Sequence, residues 1–177
     1  MHRLAAPDMH IQTAQTALKR LLKAEQWISC IAFAVLITVI FADVLSRELT
    51  GSGMHWARQV GVYANIFIVM AGFGLASASA AHLRPRFADG WLPVSWNAAL
   101  IRLQEGVMAL FCLAFAAVAV QVVAETYSMQ ERSVVLRVVV WPFQAVIPAA
   151  FAVAAVRHAI YALRPQLRPT DEQAGSG

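Results

Sequence analysis

The chain has 177 residues, of which 59% are hydrophobic and 14% charged, with a net charge of +4. Its mean hydropathy of +0.59 exceeds that of a soluble domain, in which about half the residues are apolar. The length leaves room for membrane spans and short connections but for no separate soluble domain. The basic residues stand beside apolar runs, so the charge points to membrane lipid rather than nucleic acid as the partner.

Residues 1–26 open with a polar stretch around Pro7. From Ile11 the apolar residues Ile11, Ala14, Leu18, Leu21 and Leu22 recur at helical spacing, with Lys19, Arg20 and Lys23 mostly off that stripe. This is the pattern of an amphipathic helix in the headgroup region, or of the solvated start of the first span. No cleavable signal peptide is expected, because the first apolar run is long enough to span.

Four apolar runs follow: Trp27–Val44, Val60–Ser79, Val107–Ala124 and Val138–Val156. Each approaches the ~20 residues a helix needs to cross about 30 Å of hydrocarbon. Backbone polar groups must be satisfied within each segment there, so the expected fold is all-α, with four transmembrane helices at about 27–45, 60–80, 96–124 and 138–157. Residues 164–177 read as a flexible tail. Ser95 is placed to cap a helix running from Trp96 through span three. In span four, Pro142 is expected to open the helix or kink it early, and Pro148 to kink it near mid-membrane.

Ten Lys and Arg residues lie in the N-terminal segment, the loop after span two and the tail, against four in the other two loops. The bias puts both termini in the cytoplasm. Trp27, Trp56, Trp91, Trp96, Trp141 and Tyr161 fall near span ends, where amphipathic rings anchor. Small residues recur every fourth position, as Gly72, Ala76 and Ala80, as Gly74 and Ala78, and as Ala145 and Ala149. Such stripes let helices approach closely, within the bundle or against a partner.

Chemistry is sparse. The only Asp, Glu, Lys, Arg or His inside the runs is Asp43, at the end of the first, so no buried charge is expected. His2, His10, His55, His82 and His158 lie at or beyond span ends, which leaves no pair of axial ligands for haem. Phosphate-loop, metalloprotease and nucleophile-elbow motifs are lacking. Cys30 and Cys112 read as small core residues, and Asn65, Gln121 and Gln144 as interhelical hydrogen-bonding groups. Catalytic, cofactor, metal and substrate-binding residues are therefore not assigned, and the chain is not expected to be an enzyme. Asp43 and Arg47, one turn apart with the acid first, form either a solvated ion pair or a fixture of the first hairpin.

Taken in order, certain pieces are more specific. Span one ends in Asp43-Val44-Leu45-Ser46-Arg47, and Trp56 follows in the loop. A Gly- and Ala-rich span then runs into Ala80-Ala81-His82-Leu83-Arg84. After span three come Ser133-Val134-Val135-Leu136 and Val140-Trp141-Pro142, then a small-residue span ending in Arg157. This resembles the DctQ-type small membrane subunit of tripartite ATP-independent periplasmic (TRAP) transporters. The resemblance covers roughly Glu25 to Leu163, and Asp43, Arg47, Trp56, His82, Arg84 and Pro142 carry it. It departs from the family where acidic residues commonly follow the loop tryptophan, since Ala57, Arg58 and Gln59 stand there.

The resemblance implies a large membrane subunit that carries the substrate and sodium sites, and a periplasmic binding protein that delivers an organic acid. The chain itself would be a non-catalytic scaffold in the bacterial inner membrane. Arg58, Gly72, Gly74, Ala76, Ala145 and Ala149 are the candidate docking residues. The alternatives are a small membrane enzyme or redox subunit, and an independent homodimeric transporter.

Overall fold

The computed structural model describes residues 6–78 and 97–167. Among them are α1 (Ala6–Thr50), α2 (Ala57–Ala78), α3 (Asn97–Ser128), α4 (Trp141–Gln144) and α5 (Val146–Leu163), followed by a 3₁₀ turn at Pro165–Leu167. Four spans are long and apolar enough to cross a membrane: Gln12–Thr50, Ala57–Ala78, Ala99–Ser128 and Trp141–Leu163, the last made of α4 and α5 together. At 1.5 Å per residue α2 is about 33 Å long, one hydrocarbon thickness, whereas α1 reaches about 67 Å and α3 about 48 Å. Lys19, Arg20 and Lys23 thus share one unbroken helix with the first span.

The helix ends follow local chemistry. Pro7 is the second residue of α1, where a missing N–H costs nothing. Gly51, at φ +74°, closes the same helix by donating its N–H to Arg47 O at 3.0 Å, a left-handed cap that suits glycine. Pro142 sits in the first turn of α4. The fourth span breaks at Ala145, because Pro148 supplies no N–H to the Gln144 carbonyl and its ring crowds that group. The irregularity falls in the turn before Pro148, and the next bond, Ala149 N–H to Ala145 O, is stretched to 3.3 Å.

The helices form a row. α1 lies against α2, α2 against α5, and α5 against α3. The outer helices are therefore open: 6% of the most apolar stretch of α1 is buried, against 33% for α2. The core between α3 and α5 consists of Cys112, Ala154 and Ala155, with Phe73 and Phe151 packed on it. Small side chains there let the helices approach, and dispersion replaces the hydrophobic drive that lipid removes.

Loops join α1 to α2 and α3 to α4 at one end of the row, and α5 ends at the other. At the loop end Tyr63 and Phe143 stack at 4.1 Å between ring centroids. Gln59 ties α2 to the second loop, donating from Nε2 to Tyr63 Oη of its own helix at 3.3 Å and accepting at Oε1 from Val135 N–H at 3.3 Å. Ser133 is buried in the second loop, where its hydroxyl accepts from Leu136 N–H at 3.1 Å.

Candidate functional site: a buried ionic layer across four helices

Arg157 and His158, successive residues of α5, are both buried, and each reaches two other helices. Arg157 Nη2 donates to Glu25 Oε1 and Oε2 of α1 at 2.9 and 2.8 Å, and Nη1 donates to the Gly74 carbonyl of α2. On His158, Nδ1 lies 2.6 Å from Glu105 Oε2 of α3, and Nε2 lies 2.8 Å from Ser77 Oγ of α2. Two adjacent side chains thereby tie all four long helices at one level.

The geometry rests on helix periodicity. Residues 157 and 158 point about 100° apart around α5, one toward the α1–α2 side and the other toward α3. Gly74 and Ser77 are one turn apart on α2 and so share the face that meets α5. Gly74 has a second part in this arrangement: a Cβ there would collide with the Glu25 carboxylate. Ser77 lies about 30 Å along α2 from the loop end, so the layer sits near the far boundary of the hydrocarbon.

The layer corrects the expectation that no charge is buried. Glu25 and Glu105 stand two residues before apolar runs, and Arg157 and His158 one and two residues after one. The helices continue through the ends of those runs and carry the charges inside, where pairing offsets their desolvation. In the linear pattern Arg157 falls among the basic residues of the tail and His158 beyond the end of its span. A usable signal was present: acids at the starts of spans one and three share a bundle end with a base at the end of span four.

At the loop end, Asp43 and Arg47 form an ion pair at 2.8 Å, and Asp43 Oδ1 also accepts Met54 N–H at 2.6 Å. It is the carboxylate rather than Arg47 that ties the first hairpin. A Cβ at Gly53 would lie 2.5 Å from Arg47 Nε and 2.8 Å from Asp43 Oδ1, so a side chain there would displace the ion pair. Trp56 is exposed at the start of α2, and Pro142 is exposed in α4. His82 and Arg84 lie outside the described residues, as do Ala80, Trp91, Ser95 and Trp96.

The docking candidates divide. Gly74 is occupied within the chain by Glu25 and Arg157, so it offers no free surface. Gly72 faces open space, Arg58 and Ala76 are exposed on α2, Ala145 is half-buried at the span-four break and Ala149 is exposed on α5. The amides are also redistributed. Asn65 and Gln121 are exposed and Gln144 Oε1 is buried without a partner, so none of the three forms an interhelical hydrogen bond among the described residues.

Four apolar spans in a row, locked at one end by ion pairs and at the other by a carboxylate-tied hairpin, define a multi-pass membrane bundle. No group of three His, Cys, Asp or Glu residues that could hold a metal occurs among the described residues. Residues 36–168 match the family described as tripartite ATP-independent periplasmic transporters, DctQ component. The chain belongs to that family: it is the small component of a TRAP transporter and a multi-pass protein of the inner membrane. Membership implies a large membrane subunit and a periplasmic binding protein as partners. No curated protein and no solved structure matches the chain.

Proposed function

We propose that the chain is a fixed, non-catalytic scaffold against which the large subunit, bearing the substrate and sodium sites, moves during uptake of an organic acid. The observation that carries this reading is the ionic layer. Buried charges in a membrane protein usually mark an ion or substrate path. Here each of Glu25, Glu105, Arg157 and His158 is engaged by another helix of the same chain. Between that layer and Asp43, the four spans contain no Asp, Glu, Lys, Arg or His. A charged solute or ion would find no ionised partner along the row.

Both termini and the ionic layer face the cytoplasm in this reading, on the strength of the Lys and Arg bias. The turns of α1 before Glu25, with Lys19, Arg20 and Lys23, lie in the headgroup region. The loops around Met54 and Val135 then face the periplasm, where the binding protein delivers its cargo. Affinity purification from native membranes tests the assignment. The expected result is a stable complex with one large multispan protein; recovery of this chain alone, or as a homodimer, would overturn it.

A further inference from the structure

α2 is a central helix of the row, yet one stripe of it is covered by none of the described residues. Arg58, Val62, Asn65 and Val69 are exposed, and Gly72, on the same stripe, has nothing near the position of a Cβ. Their spacing alternates between four and three residues, the seam along which two helices mesh. Three further observations set this stripe apart. Asn65 lies about 12 Å below the start of α2, at hydrocarbon depth, and forms no hydrogen bond among the described residues. Arg58, at the loop end of the stripe, has no ion pair among them. A crevice of about 340 Å³ opens beside both, between Leu36, Ile40 and Asp43 of α1 and Gly61 and Val62 of α2, with the Asp43 carboxylate itself engaged by Arg47 and Met54.

We propose that this face of α2 docks a transmembrane helix of the large subunit. That helix presents a hydrogen-bonding side chain to Asn65, a large apolar side chain to the crevice and a carboxylate to Arg58. The inference rests on the scaffold reading and assigns it a surface. Acyl chains could fill the crevice but cannot satisfy an amide, whereas a protein helix can do both. The exposed stripe of α5, with Ala149, Ala152, Val156 and Ala159, has no polar group and suits lipid. Gln121 of α3 is also exposed, but α3 is open around most of its circumference and singles out no seam.

The test uses the complete membrane complex, with a photoreactive benzophenone residue at Val62 or Val69 and, for comparison, at Ala117 of α3 or Val156 of α5. Adducts with the large subunit from Val62 and Val69, and none from the other two, are the expected result. Asn65→Leu should weaken retention of the large subunit about threefold to tenfold, the loss of one interhelical hydrogen bond. Large-subunit adducts from Ala117 or Val156 instead would overturn the face while leaving the scaffold reading intact. Adducts between two copies of this chain, adducts with lipid only or no adducts at all would also overturn it. Absence of any large subunit from the complex would remove both.

Discussion

Glu25 and Arg157 are separated by 132 residues of sequence and by 2.8 Å in space, and the contact joins the first helix to the last. Both side chains are almost wholly removed from solvent, at 11% and 1% exposure. Such a pair specifies an arrangement more than it adds net stability, because desolvating two charges consumes much of their attraction. Breaking one side is another matter. Arg157→Met leaves the Glu25 carboxylate buried and unpaired, and should cost about 3–5 kcal/mol. Glu25→Leu combined with Arg157→Met should recover most of that loss. Denaturant titration of the detergent-solubilised protein, followed by tryptophan fluorescence, measures the cycle.

Two glycines two residues apart on α2, and so on nearly opposite faces of it, should respond in opposite ways. Gly74→Ala places a methyl group against the Glu25 carboxylate and should destabilise the bundle by about 1–3 kcal/mol, the usual cost of overpacking. Gly72→Ala meets open space and should be neutral or stabilise α2 by up to about 1 kcal/mol through helix propensity. Thermal unfolding of the two variants side by side decides this, and equal behaviour would dissociate Gly74 from the layer.

The His158 bridge should control how tightly α3 closes on α5. Cys112 is fully buried in that seam, and Cys30 is exposed on α1. In the detergent-solubilised native protein a maleimide should label Cys30 faster than Cys112, which is wholly enclosed by protein. His158→Leu removes the contacts to Glu105 and Ser77, and should make Cys112 reactive while labelling of Cys30 stays constant. Mass spectrometry of the labelled peptides reads both sites together.

At the opposite end, Asp43 receives the Met54 N–H and the Arg47 guanidinium. A hydrogen bond to a charged acceptor is worth about 1.5–3 kcal/mol. Asp43→Ala should therefore speed amide exchange at Met54 about tenfold or more. Asp43→Asn, which keeps an acceptor oxygen but not the charge, should fall between the variant and the native protein. Hydrogen–deuterium exchange over the α1–α2 loop is the measurement.

The spans were legible because hydrocarbon imposes a length and forbids unsatisfied backbone, and both constraints are written in one dimension. The break in span four follows from Pro148 for the same reason: its missing N–H is local. The ionic layer is not local. Whether Glu25 at the edge of an apolar run faces headgroups or Arg157 depends on how far each helix continues and which way it is turned. Those facts come from packing. Gly74 shows the same limit, since its spacing fits a docking stripe while its partner is a carboxylate from α1. Asn65 shows the converse: an amide read as a link within the bundle faces out, because which faces are interior depends on the order of helices in the row.

The most direct test of the scaffold account is sodium-driven uptake into proteoliposomes that contain the large subunit and binding protein with this chain, without it, or replaced by this chain alone. The account predicts uptake only when all three proteins are present, and none from this chain alone. Uptake by this chain alone at the rate of the complete system would contradict it.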